Sequence, residues 1–194
     1  MALWRGFKSY ANSIVRKVRS EMGLSAMAPL DPWALAEHLE IPVMPLTSLS
    51  DAAPNAVRYF SSINSSEFSA MTVFLNRTRR VIVYNDAHSN GRQSSDVAHE
   101  LSHGLLLHHP RPALNGQGCR NWNDDVEDEA QWLAGALLIS EEAALSIAKR
   151  RLPLEQAATA YGVSEQMVRW RLAMTGAYKR LARTSHFYGN LRRH

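Results

Sequence analysis

The sequence predicts an α+β fold. It consists of a small, mostly antiparallel three-stranded sheet beside a pair of helices with metal-ligating side chains, followed by a helical C-terminal part of helix-turn-helix-like spacing. Three observations carry this reading. Apolar residues recur every three or four positions near both ends of the chain, which is helical periodicity. Between residues 54 and 84 the period shortens, and small β-branched and aromatic runs alternate with Ser- and Asn-rich turns. Finally, His99-Glu100-Leu101-Ser102-His103 lies in a helical stretch that no proline interrupts until Pro110.

Composition bounds the alternatives. A chain of 194 residues with 45% hydrophobic content can build one ordinary core and is not a disordered chain. The single cysteine, Cys119, excludes an internal disulfide framework and a cysteine-rich zinc site, and it fits the reducing cytoplasm. No apolar run approaches the roughly 18–20 residues of a membrane span, so no membrane role is expected. The net charge of +4 is uneven. Residues 1–20 are basic, residues 124–129 carry Asp124, Asp125, Glu127, Asp128 and Glu129, and the chain is basic again from Lys149. An acidic middle suits a cation, and basic ends suit solvated faces or an acidic partner.

Taken in order, Leu3, Trp4, Phe7, Ala11, Ile14, Val15 and Val18 predict a first amphipathic helix. Its Arg-rich face resembles a transit peptide or a membrane-surface helix, but packing onto the core is favoured, and Gly23 ends it. Asp31-Pro32 opens a second helix as N-cap and first residue, running to about Glu40, with Ile41-Pro42-Val43 extended after it. Ala56–Phe60, Met71–Leu75 and Arg80–Tyr84 read as strands, the last two joined by the tight 76–79 connection. The sheet edge beside the motif helix offers a place for an extended peptide to add as a strand. Ser94, Ser95 and Asp96 offer N-caps for that helix, which is expected to continue through Leu107. Residues 110–123 read as a long loop. Helices follow over 124–139, with small residues Ala130, Ala134, Gly135 and Ala136 allowing close approach, then over 141–150, 153–160 and 165–174.

The motif carries chemistry because positions i and i+4 of a helix lie nearly above one another, so His99 and His103 can grip one ion. A catalytic Zn2+ takes three protein ligands and keeps a fourth position open. The acidic helix start supplies the third. Glu127 shares a face with Gln131, a polar residue able to support it, whereas Glu129 shares its face with Leu133; Asp124, Asp125 and Asp128 stay open as alternatives. His109 has the spacing of a metzincin third ligand, but the glycine that geometry requires is Leu106 here. His108 and His109 read as cations favoured at a helix C-terminus, or as groups at the cleft edge. His38, His88, His186 and His194 read as surface residues. Glu100 is the candidate catalytic base, and a zinc ion would polarise a scissile carbonyl and acidify water. Tyr84, His108, His109 and Arg120 are available to stabilise an oxyanion, with nothing in sequence to choose among them.

The run from Val97 to Leu107, together with Val126-Glu127-Asp128-Glu129-Ala130-Gln131-Trp132-Leu133-Ala134-Gly135-Ala136-Leu137-Leu138-Ile139-Ser140, resembles the ImmA/IrrE family of zinc metallopeptidases. That family shows an Ala-His-Glu-x-x-His helix and then a Glu-x-x-Ala-Asn-x-Phe-Ala-Ala-x-Leu-Leu-Met-Pro helix. The resemblance covers roughly residues 20–176. It implies zinc held by His99, His103 and Glu127, with Glu100 as base. It also implies a specific protein substrate, of the kind of a repressor of a mobile element or a stress response. Gln131, Leu133 and Ile139-Ser140 depart from the pattern, which touches the surroundings of the site and no ligand.

The sequence reads as a metallopeptidase-like domain, residues 1–150, and a helix-turn-helix-like extension with a basic tail, residues 151–194. Gly162 stands in the turn, and Arg169 and Arg171 lie on the second helix, where a DNA binder would use them. A structural or protein-docking use is favoured over DNA contact, since the family carries a similar helix pair as architecture. The rival reading is a DNA- or repressor-binding regulator with a structural or vestigial metal site.

Overall fold

Helix α1, Phe7–Glu21, presents Phe7, Ala11, Val15 and Val18 as a fully buried stripe. The alternating spacing of four and three residues is what drives the helix onto the core rather than into solvent. The computed structural model describes residues 3–76, 79–108 and 123–183. The expectations for His109, residues 110–122 with Cys119 and Arg120, His186, Arg192, Arg193 and His194, and for positions 77–78 of the 76–79 turn, lie outside the described residues. Buried Arg19 anchors the end of α1. Its Nη1 donates to the Ala28 carbonyl at 2.6 Å, and its Nη2 donates to that of Leu137 at 2.8 Å. Helix α2, Pro32–His38, starts as expected, with the Asp31 carboxylate accepting from the Trp33 amide at 3.0 Å.

The sheet holds a correction. Ala56–Phe60 is helical, not a strand: α3 spans Pro54–Arg58, and a wider turn follows over Tyr59–Ile63. Pro54 at the first helical position pre-sets φ for a helix, and a five-residue apolar run carries too little period to oppose it. The third strand is β1, Val43–Pro45, which pairs in parallel with β3, Arg80–Tyr84. On the other side of β3 lies β2, Ala70–Phe74, antiparallel, with Thr72 opposite Ile82. The order β1-β3-β2 makes the sheet mixed and leaves β2 at an edge. Because side chains alternate across a strand, Ile82 packs with Val97 and Leu101 of α4, Asn90–Leu105, while Val83 packs with Leu46 and Val57. Helix α4 starts a turn earlier than expected, at the Ser89 cap, so Ser94 and Asp96 lie inside it.

Four helices complete the fold: α5, Asp124–Leu138; α6, Glu141–Arg150; α7, Leu154–Tyr161; and α8, Glu165–Thr175. Ala98 of α4, Leu138 of α5, Ala144 of α6, Ala157 of α7 and Val168 of α8 share one apolar cluster that runs across residue 150. Ser140 and Ser164 cap α6 and α8 through their hydroxyls. Arg171 is not available to a nucleic acid. It is fully buried, stacks 5.0 Å from the Trp132 ring and 5.7 Å from the Trp170 ring, and its Nε donates to the Ile139 carbonyl at 3.0 Å. Burial pulls its guanidinium down from the usual value to about 10. Arg169 remains exposed on the opposite face, beside Glu165. Among the described residues no helix is long and apolar enough to cross a membrane.

The small residues of α5 permit this packing. A Cβ at Gly135 would stand 2.3 Å from Trp170 Cζ3 and 2.9 Å from Arg171 Cδ. Gly135→Ala is therefore expected to destabilise the protein by about 1–3 kcal/mol through overpacking. Thermal denaturation checks this; an unchanged Tm would contradict the close approach.

Candidate metal centre

Two helices build the centre. The buried stripe of α4, Ser94, Val97, Ala98, Leu101 and Ser102, fixes its rotation against the core and turns His99, Glu100 and His103 toward a half-open edge. The buried stripe of α5, beginning at Ala130, does the same one turn after Glu127. The Asn123 side chain caps α5, accepting from the Asp125 amide at 3.1 Å, and the acidic first turn suits the positive end of the helix dipole. His99 Nε2 lies 3.0 Å from Glu127 Oε2, His103 Nε2 lies 3.6 Å from the same oxygen, and the two Nε2 atoms are 3.1 Å apart. These three residues form a group able to hold a metal ion. The donor set fits: two imidazole nitrogens and a carboxylate oxygen stand close to the ~3.3 Å edge of a tetrahedron built on bonds of about 2.0–2.1 Å. Three donors at such separations can share one cation.

The chain matches the model of the IrrE N-terminal-like domain, Peptidase_M78, over residues 44–173. It belongs to this peptidase family. No curated protein and no solved structure matches it. The matched span runs from β1 to α8, so the helices after residue 150 are part of what the IrrE N-terminal-like family shares.

Burial by itself would raise the Glu127 carboxyl, but the hydrogen bonds and charge of His103 and His99 outweigh it and hold the group well below the usual carboxylate range. Glu100 stands beside the group and accepts from the Thr72 hydroxyl of β2 at 2.7 Å, through Oε2. That contact ties the edge strand to the candidate base. Thr72 carried no signal in sequence, since nothing local marks the one threonine of β2 as a partner of Glu100.

The surroundings differ from expectation in three places. Gln131, expected to support Glu127, is exposed. The α4 helix does not continue through Leu107, which turns left-handed at φ 57 and directs His108 back against His103. His108 is thus no dangling C-terminal cation: burial pushes its imidazole down, opposed by Glu129 and reinforced by His103. His88 is not a surface residue either. It is buried, with Nε2 2.8 Å from the Ser65 carbonyl and Nδ1 3.2 Å from Asp96 of α4. Beside it, fully buried Asn85 donates to the Phe60 and Phe68 carbonyls at 2.9 Å, so the 59–68 segment is clamped to the start of the metal helix. His38 meets Glu21 at 3.7 Å, near the surface.

Elemental analysis of the purified chain is expected to give about one divalent metal ion per molecule, lost in Glu127→Ala and kept in Gln131→Ala. Stoichiometric metal in Glu127→Ala would remove Glu127 from the site.

Proposed function

We propose that this chain is a cytoplasmic zinc metalloendopeptidase that cuts a peptide bond in one specific regulatory protein, of the repressor type. The observation that supports it best is the group His99, His103 and Glu127 with Glu100 beside it, in a chain of a peptidase family. The ligand chemistry suits zinc, with two imidazoles and one carboxylate and, among the described residues, no thiolate nearby. When bound, the metal supplies Lewis-acid polarisation of a carbonyl and lowers the pKa of water toward neutrality.

The chain's own residues then have distinct roles. His99, His103 and Glu127 hold the ion. Thr72 occupies Glu100 Oε2, which leaves Oε1 to take the proton of the attacking water and return it to the leaving nitrogen. The β2 edge, one hydrogen bond away from that base, suits an extended peptide lying beside it as an added strand. An extended backbone ladder recognises protein chains rather than small molecules, which favours a protein substrate. Arg169 is left as the exposed arginine of α8, so Arg171 drops out of the pair that a DNA-binding reading would use.

Glu100→Gln is expected to keep the metal and to lower hydrolysis roughly 10²–10⁴-fold, the usual contribution of a positioned base. Mapping new protein N-termini in cells that express wild type or Glu100→Gln tests the reading. A small set of new termini in regulatory proteins, present only with wild type, is expected. Identical termini in both would count against a peptidase.

A further inference from the structure

Helix α4 closes as α2 and α6 do, on a non-glycine residue of positive φ: Leu107 here, Glu40 and Arg151 there. Leu107 takes a left-handed conformation, uncommon for a residue with a Cβ, and its apolar side chain is 81% exposed. Nothing is gained from the packing of Leu107 itself. What the turn achieves is the placement of the next residue. The His108 amide donates to the His103 carbonyl at 3.0 Å and the Leu107 amide to that of Gly104 at 3.1 Å, the pair of bonds that closes a helix and reverses the chain. The His108 ring is thereby laid edge-on against His103, with centroids 5.1 Å apart.

The contacts form a chain of three links. Glu129 Oε2 lies 3.2 Å from His108 Nε2, His108 Nδ1 lies 2.9 Å from His103 Nδ1, and His103 Nε2 faces His99 and Glu127. An ionised carboxylate only accepts, so the contact with Glu129 places the His108 proton on Nε2. A neutral imidazole with its proton there has a lone pair on Nδ1. His103 must then carry its own proton on Nδ1 to meet that lone pair, and its Nε2 lone pair faces the metal group. The opposite tautomer of His103 would bring two lone pairs together at 2.9 Å and point an N–H at the ion. His99 has no such support among the described residues, where its buried Nδ1 meets no hydrogen-bond partner.

We propose that His108 and Glu129 are positioning residues that fix the tautomer and orientation of His103, presenting Nε2 to the metal. The inference rests on the metal-site reading above. Glu129, the less coherent ligand candidate in sequence, serves the site from behind a second histidine, two residues after Glu127.

The test measures metal affinity rather than hydrolysis. The full chain is stripped with a chelator and titrated with Zn2+ in competition with a chromophoric chelator, and with Co2+ for its visible spectrum. His108→Leu keeps the volume but offers no acceptor, and it should weaken Zn2+ binding about 10–100-fold, the usual effect of removing a ligand's hydrogen-bond partner. His108→Asn places Oδ1 where Nδ1 stood and should restore affinity close to wild type. Glu129→Leu, which leaves the turn untouched, should weaken binding in the same direction and carries the test if His108→Leu does not fold. A His108→Leu chain that folds and binds Zn2+ as tightly as wild type would overturn this inference alone. A wild type that takes up neither ion would overturn it together with the metal-site reading. Loss of metal in both His108 variants as complete as in Glu127→Ala would make His108 a ligand and overturn the positioning role.

Discussion

Everything at the candidate site depends on how closely α4 and α5 approach. Neither helix holds a complete set of donors. His99 and His103 belong to one, Glu127 to the other, and they meet only because the helices pack through Ala98, Leu101, Leu133, Ala134 and Leu137 without larger side chains to hold them apart. Interiors packed to crystal-like density resist small displacements. A core built this way can therefore hold three lone-pair donors at mutual contact while no covalent link joins them. The acidic first turn of α5 then adds its charge where the helix dipole welcomes it.

The same demand explains the neighbours of the pair. The sheet packs on α4 through Ile82 and brings Thr72 to Glu100. On the other flank α8 presses Trp170 and Arg171 into the notch at Gly135 of α5. Arg171 is the clearest case of a charge used as structure: its guanidinium lies between two indole rings and its Nε meets the carbonyl at the end of α5. The His88–Asp96 and Asn85 contacts fix the start of α4, so the metal helix is held at its beginning, along its length and, through His108, just past its end.

The long helices and the meeting of His99 with His103 were legible in the sequence because helical period and i, i+4 spacing are local properties that several turns repeat. The cap at Asp31 was legible too, since Asp before Pro at a helix start is a local signal. Ala56–Phe60 was not, since five residues do not distinguish a strand from a turn of helix and Pro54 decides it. His88, His108 and Glu129 were illegible because their roles come from tertiary proximity. In particular, a leucine in a left-handed turn gives no sign of itself in sequence, whereas glycine at that place would have announced the end of α4. Gln131 misled because sharing a face with Glu127 does not say which side of the helix faces the protein. The arginines of α8 are equally basic in sequence, and only the helix rotation sends Arg169 to solvent and Arg171 into the core.

X-ray absorption at the zinc edge of the metal-loaded full chain reads the ligand set directly. The account predicts two imidazoles and otherwise oxygen donors, all at about 2.0–2.2 Å. A sulfur shell near ~2.3 Å, or a third imidazole in the first shell, would contradict a centre made of His99, His103 and Glu127.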